Sequence, residues 1–149
     1  AYNNRGAARR DQGDLAGAVA DFSRAIELDP NLAKAFYNRG LARHAQGDLA
    51  GAVADYTRAI ELDPNYAAAY SNRGLARSDQ GDLAGAVADS SRATELAPGL
   101  WQAWENRGIA LARLGRKDDA RASLERALEL APPSARAQVE AARRQAVGE

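Results

Sequence analysis

The sequence predicts an all-α array of stacked helical hairpins, and three observations lead there. The triplet Asn-Arg-Gly recurs with its glycine at Gly6, Gly40, Gly74 and Gly108, a constant step of 34 residues. A closing proline keeps the same step at Pro30, Pro64, Pro98 and Pro132. Between these marks each unit carries two helical patterns, and no strand is expected. A fixed period of this size marks a repeat architecture, in which each unit buries its apolar faces against its neighbours. The expected units span residues 1–32, 33–66, 67–100 and 101–134, with a last helix over 135–147, all in one domain.

The second unit shows the logic of all four. Helices are expected over 33–46 and 49–62. Gly47 separates them, and Asp48 stands where an N-cap carboxylate can accept from the next turn's amides. Pro64 cannot continue a helix and ends the unit. The short connection forces the two helices to fold back antiparallel. Gly40 and Ala52 fall on the faces that meet, so the backbones can approach closely, and Ala59 does the same toward the next unit. Tyr56 and Ile60 supply bulk. Gly51, repeated at Gly17 and Gly85, costs roughly 1 kcal/mol of helix propensity in a first helical turn, with no evident return.

The third unit departs from the pattern. Ser90 and Thr94 stand where earlier units have Phe22 or Tyr56 and Ile26 or Ile60. Trp101 and Trp104 follow, and their rings are expected to fill the space those small residues leave. After Pro132 and Pro133, Ser134 is expected to cap a helix over 135–146 with a thin apolar stripe of Ala135, Val139, Ala142 and Ala146. Arg136, Glu140, Arg143 and Arg144 cover its other sides. Such a helix suits a solvating cap on an array, or the first helix of a truncated fifth unit.

The bulk properties bound the function. The chain has 149 residues, and its 46% apolar content is rich in alanine. Twenty basic residues balance twenty acidic ones, so no net field favours nucleic acid or an anionic membrane. There is no cysteine, which removes disulfide and thiolate chemistry. No apolar run approaches a membrane span and no signal-peptide core is visible, so a cytoplasmic location is the expectation. The chain has no methionine and begins inside a repeat, as expected of a piece of a longer polypeptide. His44 is the single histidine, which leaves zinc without a ligand set, and the acidic residues recur as caps and surface charges rather than as a converging pair. No active site and no cofactor is expected.

These residues resemble the tetratricopeptide-repeat family. The resemblance rests on the period, the aromatic near each unit's start (Tyr2, Phe36, Tyr70, Trp104), the Asn-Arg-Gly glycine, the inter-helix glycine, the alanine pair and the closing proline. It covers four units and the last helix. The chain departs from the family at Arg5, Arg39, Arg73 and Arg107, where leucine is commoner, and at Arg9, Arg43 and Arg77, where tyrosine is; these look like a bacterial style of the repeat. The resemblance implies a right-handed superhelix with a concave groove lined by the first helices. It also implies binding of a protein or peptide segment, without catalysis.

Comparing the units with each other locates the expected contact surface. Units one and two are nearly identical, and most of their non-conservative differences fall on or beside the first helix: Asn3/Tyr37, Ala7/Leu41, Arg10/His44, Asp11/Ala45 and Lys34/Ala68. Against this variation stand the constant Asn4, Asn38, Asn72 and Asn106. An asparagine amide both donates and accepts, so a ladder of them could grip an extended backbone, or could bond across to neighbouring helices. Ala7, Leu41, Leu75 and Ile109 are expected to add apolar contact. Tyr37, Lys34, Ser71, Gln102, Glu105, His44, Asp79 and Arg113 are expected to set preference. Some relatives hold a carboxylate tail with lysines, an arginine and asparagines; Asn3 and Ala7 do not match that clamp, so chaperone tails are not expected guests. Arg39, Arg73 and Arg107 are expected to pair with the preceding unit's Asp21, Asp55 and Asp89, leaving Arg5 without a partner. Besides a peptide-binding scaffold, the sequence allows end-to-end self-association through exposed repeat ends, or a regulatory arm of a larger protein.

Overall fold

The computed structural model describes residues 1–148, and among them it contains nine helices and no strand. They are α1 (Tyr2–Asp11), α2 (Leu15–Leu28), α3 (Ala33–Ala45), α4 (Leu49–Leu62), α5 (Ala67–Asp79), α6 (Leu83–Leu96), α7 (Trp101–Arg113), α8 (Lys117–Leu130) and α9 (Pro133–Val147). The first eight pair into four antiparallel hairpins that stack into a right-handed superhelical solenoid closed by α9.

Each hairpin turn is fixed locally. Gly13, Gly47, Gly81 and Gly115 take φ of 82–87°, a left-handed conformation that glycine adopts without a side-chain clash. Asp14, Asp48 and Asp82 cap the second helices by accepting from the backbone N–H of Gly17, Gly51 and Gly85 at 3.0 Å. The cap explains the glycine in that first turn, for which sequence offered no reason. A Cβ on Gly51 would overlap the Asp48 carboxylate. In the fourth hairpin Arg116 replaces the aspartate, and Asp118 and Asp119 bring negative charge to the first turn of α8 instead.

The Asn-Arg-Gly glycines seat the bulk of the core. A Cβ on Gly40 would lie 2.6 Å from the Tyr56 ring, and one on Gly6 would lie 2.7 Å from Phe22. The ring therefore packs against bare backbone. Alanines at 18, 52, 86 and 120 are almost wholly buried at the same seam.

The ion pairs correct the sequence reading. Arg39 clamps Asp55 of its own hairpin, Nε and Nη2 donating at 2.9 and 2.8 Å, and Arg43 adds a third bond at 2.9 Å. Arg73 and Arg77 treat Asp89 likewise. Arg5, expected to lack a partner, holds Asp21 at 2.6 Å. Two antiparallel helices joined by a short turn bring residues 16 apart to one level, so the pairs form within units. The link between units is weaker: Arg39 donates to the Ser23 hydroxyl at 3.1 Å and Arg73 to that of Thr57 at 3.2 Å. In unit four Arg107 is bonded to the hydroxyls of Ser91 and Ser123, and Leu111 replaces the second arginine.

One further expectation changes at the C-terminal end. The N-cap of α9 is Pro132, not Ser134, and the helix starts two residues earlier than expected, at Pro133, whose missing N–H suits a first helical position. Trp101 and Trp104 join a cluster of Ala127, Leu128, Ala131, Ala135 and Val139, so their rings serve the seam between α7, α8 and α9. The Trp104 indole N–H donates to the Pro98 carbonyl at 2.9 Å. Ser90 remains a fully buried hydroxyl without a hydrogen-bond partner.

Candidate peptide-binding groove

The inner wall is a layer of first helices. α1, α3, α5, α7 and α9 touch in series, whereas α2, α4, α6 and α8 touch only their flanking helices in sequence and not one another. A layer that is crowded on one side and splayed on the other curves, and the crowded side is the hollow one. Every residue named as a contact residue from sequence lies on the helices of that inner layer or at their start.

The asparagine ladder is taken up mostly by the wall itself. The Asn38 amide donates to Asn3 Oδ1 at 3.2 Å, and its oxygen accepts from Arg10 at 3.4 Å. Asn38 is only 6% exposed. The Asn72 amide donates to the Tyr37 hydroxyl and to the Ala68 carbonyl, both at 3.0 Å. Asn106 donates to the Ser71 hydroxyl and carbonyl at 3.2 Å. Apart from the Asn72–Ala68 bond, which stays within α5, these bonds run sideways from one first helix to the preceding one, which corrects the idea of four amides free to grip a guest. Asn4 is exposed and makes no such bond.

Glu105 and Ser71 are also closed in. Ser71 is 3% exposed and accepts from Asn106. Glu105 is buried, and both carboxylate oxygens accept from the Gln138 amide of α9 at 3.0–3.1 Å. Burial pushes the Glu105 carboxyl above its usual range, and the Gln138 bond opposes part of that rise. His44 lies 2.7 Å from Asp79 of the next unit, and Arg113 donates to the Ser78 carbonyl and hydroxyl at 2.9 Å. The sequence left such sideways bonds open for the asparagines but did not foresee those of His44 and Arg113, each at 35-residue separation. They follow from the period, because neighbouring first helices are offset by one residue.

What stays open is mostly apolar or uncharged, with Lys34 and Asp79 exposed toward its edges. Leu41, Leu75 and Ile109 are half-buried along the wall, and Lys34 and Gln102 are exposed. Tyr37 is half-buried, its ring 4.9 Å from that of Tyr66 and 6.0 Å from that of Tyr56. A hollow of about 250 Å³ lies across three successive first helices, lined by Tyr37, Leu41, Ser71, Asn72, Leu100 and Gln102 with Ala68. A second, of about 270 Å³, lies between α7 and α9 and is lined by Ile109, Ala112, Arg113, Ala142, Gln145 and Ala146. Leu100 and the α9 residues were missed from sequence. Leu100 was legible as the counterpart of Tyr66 one period on.

Family models described as TPR repeat and tetratricopeptide repeat match the chain: the first over residues 6–47 and 40–81, the second over 67–99 and 101–134. The chain belongs to the tetratricopeptide-repeat family. No curated protein matches it. Among solved structures, the repeat array is similar to MamA, with 27% identity and a TM-score of 0.81, covering 87% of this chain and 75% of that one. It is similar to the first TPR domain of Spaghetti (RPAP3), solved bound to the HSP90 peptide SRMEEVD, with 27% identity and a TM-score of 0.75, covering 76% and 90%. It shares its fold with PilF of Pseudomonas aeruginosa at 20% identity and a TM-score of 0.87, covering 99% and 66%. Among the described residues of this tetratricopeptide-repeat chain, no group of three or more acidic or histidine side chains is placed to hold a metal, and no helix is long and apolar enough to cross a membrane.

Proposed function

We propose that this chain is an interaction scaffold that takes an extended peptide or protein segment along its concave wall. The observation that carries the reading is the hollow spanning α3, α5 and α7, where Leu41, Ser71, Asn72, Leu100 and Gln102 from successive units converge on one space. The half-buried Leu75 and Ile109 continue the apolar row beyond it. A related tetratricopeptide domain solved with a bound peptide supports the class of guest but not its identity. Asn72 still offers its amide oxygen there, because its bonds to Tyr37 and Ala68 both use its NH₂ group. Peptides selected from a random library on the wild-type chain test the reading. Leu75→Arg should weaken the selected peptides about tenfold or more while leaving the helical signal intact, since a charge would then sit on the apolar row. Unchanged affinity would exclude the groove.

A second reading, end-to-end self-association, has one observation in its favour. Ala1, just before α1, and Asn4 and Ala8 on it are exposed, although their counterparts Ala35, Asn38 and Ala42 are buried. Light scattering against concentration tests it: mass rising without added partner, and falling back in Ala8→Glu, supports association through α1.

A further inference from the structure

The hollow across α3, α5 and α7 lies where unit three lacks two rings that unit two has. Advancing Tyr37, Tyr66 and Ala68 by one 34-residue period gives Ser71, Leu100 and Gln102, and these three line the hollow. In unit two the Tyr37 ring stacks on Tyr66 at 4.9 Å, and its hydroxyl accepts from the asparagine of the next unit, Asn72. In unit three Ser71 supplies no ring, although the rest of the frame persists. Leu100 keeps the apolar wall, and Asn106 still points its NH₂ group at position 71, where it finds only the serine hydroxyl and carbonyl.

The surroundings add a charge preference. The lining residues of the hollow include no charged side chain. α5 and α7 both begin beside it without a side-chain cap and without an acidic residue in the first turn, so the positive ends of two helix dipoles lie near that rim. Lys34, at the position one period before Ala68, is exposed and makes no ion pair among the described residues. A guest bearing carboxylates beside its anchor meets positive charge on this edge of the groove.

We infer that the hollow at Ser71 is a socket for an aromatic side chain of the partner, tyrosine or phenylalanine, flanked in the partner's sequence by acidic residues. The inference rests on the concave wall being the binding surface. The chain's own Tyr37 shows the geometry the guest ring would complete. A stacked aromatic gains from apolar burial and from its contact with Leu100 and Tyr37.

The test uses the described chain, isotopically labelled, with three capped pentapeptides: acetyl-Glu-Asp-Tyr-Asp-Glu-amide, the same peptide with alanine for tyrosine, and the same with lysine for every acidic residue. Amide shifts at Ser71, Asn72, Leu100 and Gln102 should move with the first peptide. Its affinity should exceed those of the other two about tenfold, the scale of one well-buried ring or one lost charge match. Ser71→Tyr should abolish those shifts by filling the socket with the chain's own ring. It should not lower the melting temperature, because the same ring is already accommodated at Tyr37. Equal binding of the alanine peptide, or binding undiminished in Ser71→Tyr, overturns the socket. If the alanine peptide still shifts Leu41, Leu75 and Ile109, the groove stands and only the socket falls. If no peptide moves any inner-wall residue, both fall. A doubling of mass that Ser71→Tyr removes would place another copy of the chain in the socket and overturn the acidic-partner assignment.

Discussion

At the scale of single residues, the Tyr56 hydroxyl shows how a near-perfect repeat can carry a local cost. Tyr56 is fully buried and its hydroxyl has no hydrogen-bond partner, whereas Phe22 fills the equivalent place without one. Burial pushes the Tyr56 phenol well above its usual range, so it stays neutral. Tyr56→Phe should therefore raise stability by about 1 kcal/mol in a denaturant titration, since an unsatisfied buried polar group costs ~1–3 kcal/mol. Glu105 gives a pH signature. Its carboxyl is raised by burial, so the native state holds the proton more tightly than the unfolded chain does. The sign follows: stability is greatest below the ordinary carboxyl range and falls as pH climbs through the raised native value. Glu105→Gln should raise the melting temperature more at about pH 7 than at about pH 4, and a uniform shift at both would remove the argument. Neither feature was legible in the sequence, because each depends on which neighbour happens to lie across the seam.

Within a hairpin, the aspartate that holds two arginines is the feature to test. Asp55→Asn leaves Arg39 and Arg43 beside an amide and should cost about 3 kcal/mol, the usual consequence of stranding one side of a largely buried pair. A double-mutant cycle should find coupling of about 1 kcal/mol or more between Asp55 and Arg39, and none between Asp55 and Arg73. The reverse result would restore the inter-unit pairing that the sequence pattern favoured. That pattern identified the right residue types, arginine of the first helix and aspartate of the second. It misassigned the partner because periodicity alone does not say whether a helix faces its own hairpin or the next. The last helix follows similar logic. Trp101 and Trp104 pack on Val139 and Ala135, so Trp101→Ala should loosen α9 first, read as faster amide exchange in α9 than in α1, with a loss of about 2–3 kcal/mol.

Over the whole molecule, a constant step turned out to be the most readable property, and surface chemistry the least. Helix bounds agree with the sequence to within a residue or two because Gly47, Asp48 and Pro64 act locally. The inner wall was also foreseen, since variation between units one and two concentrates there. What sequence could not settle was how much of that wall remains open. The sideways bonds from Asn38, Asn72 and Asn106 close part of the wall, and Ser71 opens another part by being small. The account therefore rests on a solenoid whose first helices form one receptive face, while its second helices carry surface ion pairs such as Arg24–Glu27 and Arg58–Glu61. The most direct measurement is an amide-shift map of the labelled chain with any library-selected peptide. The account predicts changes confined to α3, α5, α7 and the adjoining face of α9; changes centred on α2, α4, α6 or α8 would contradict it.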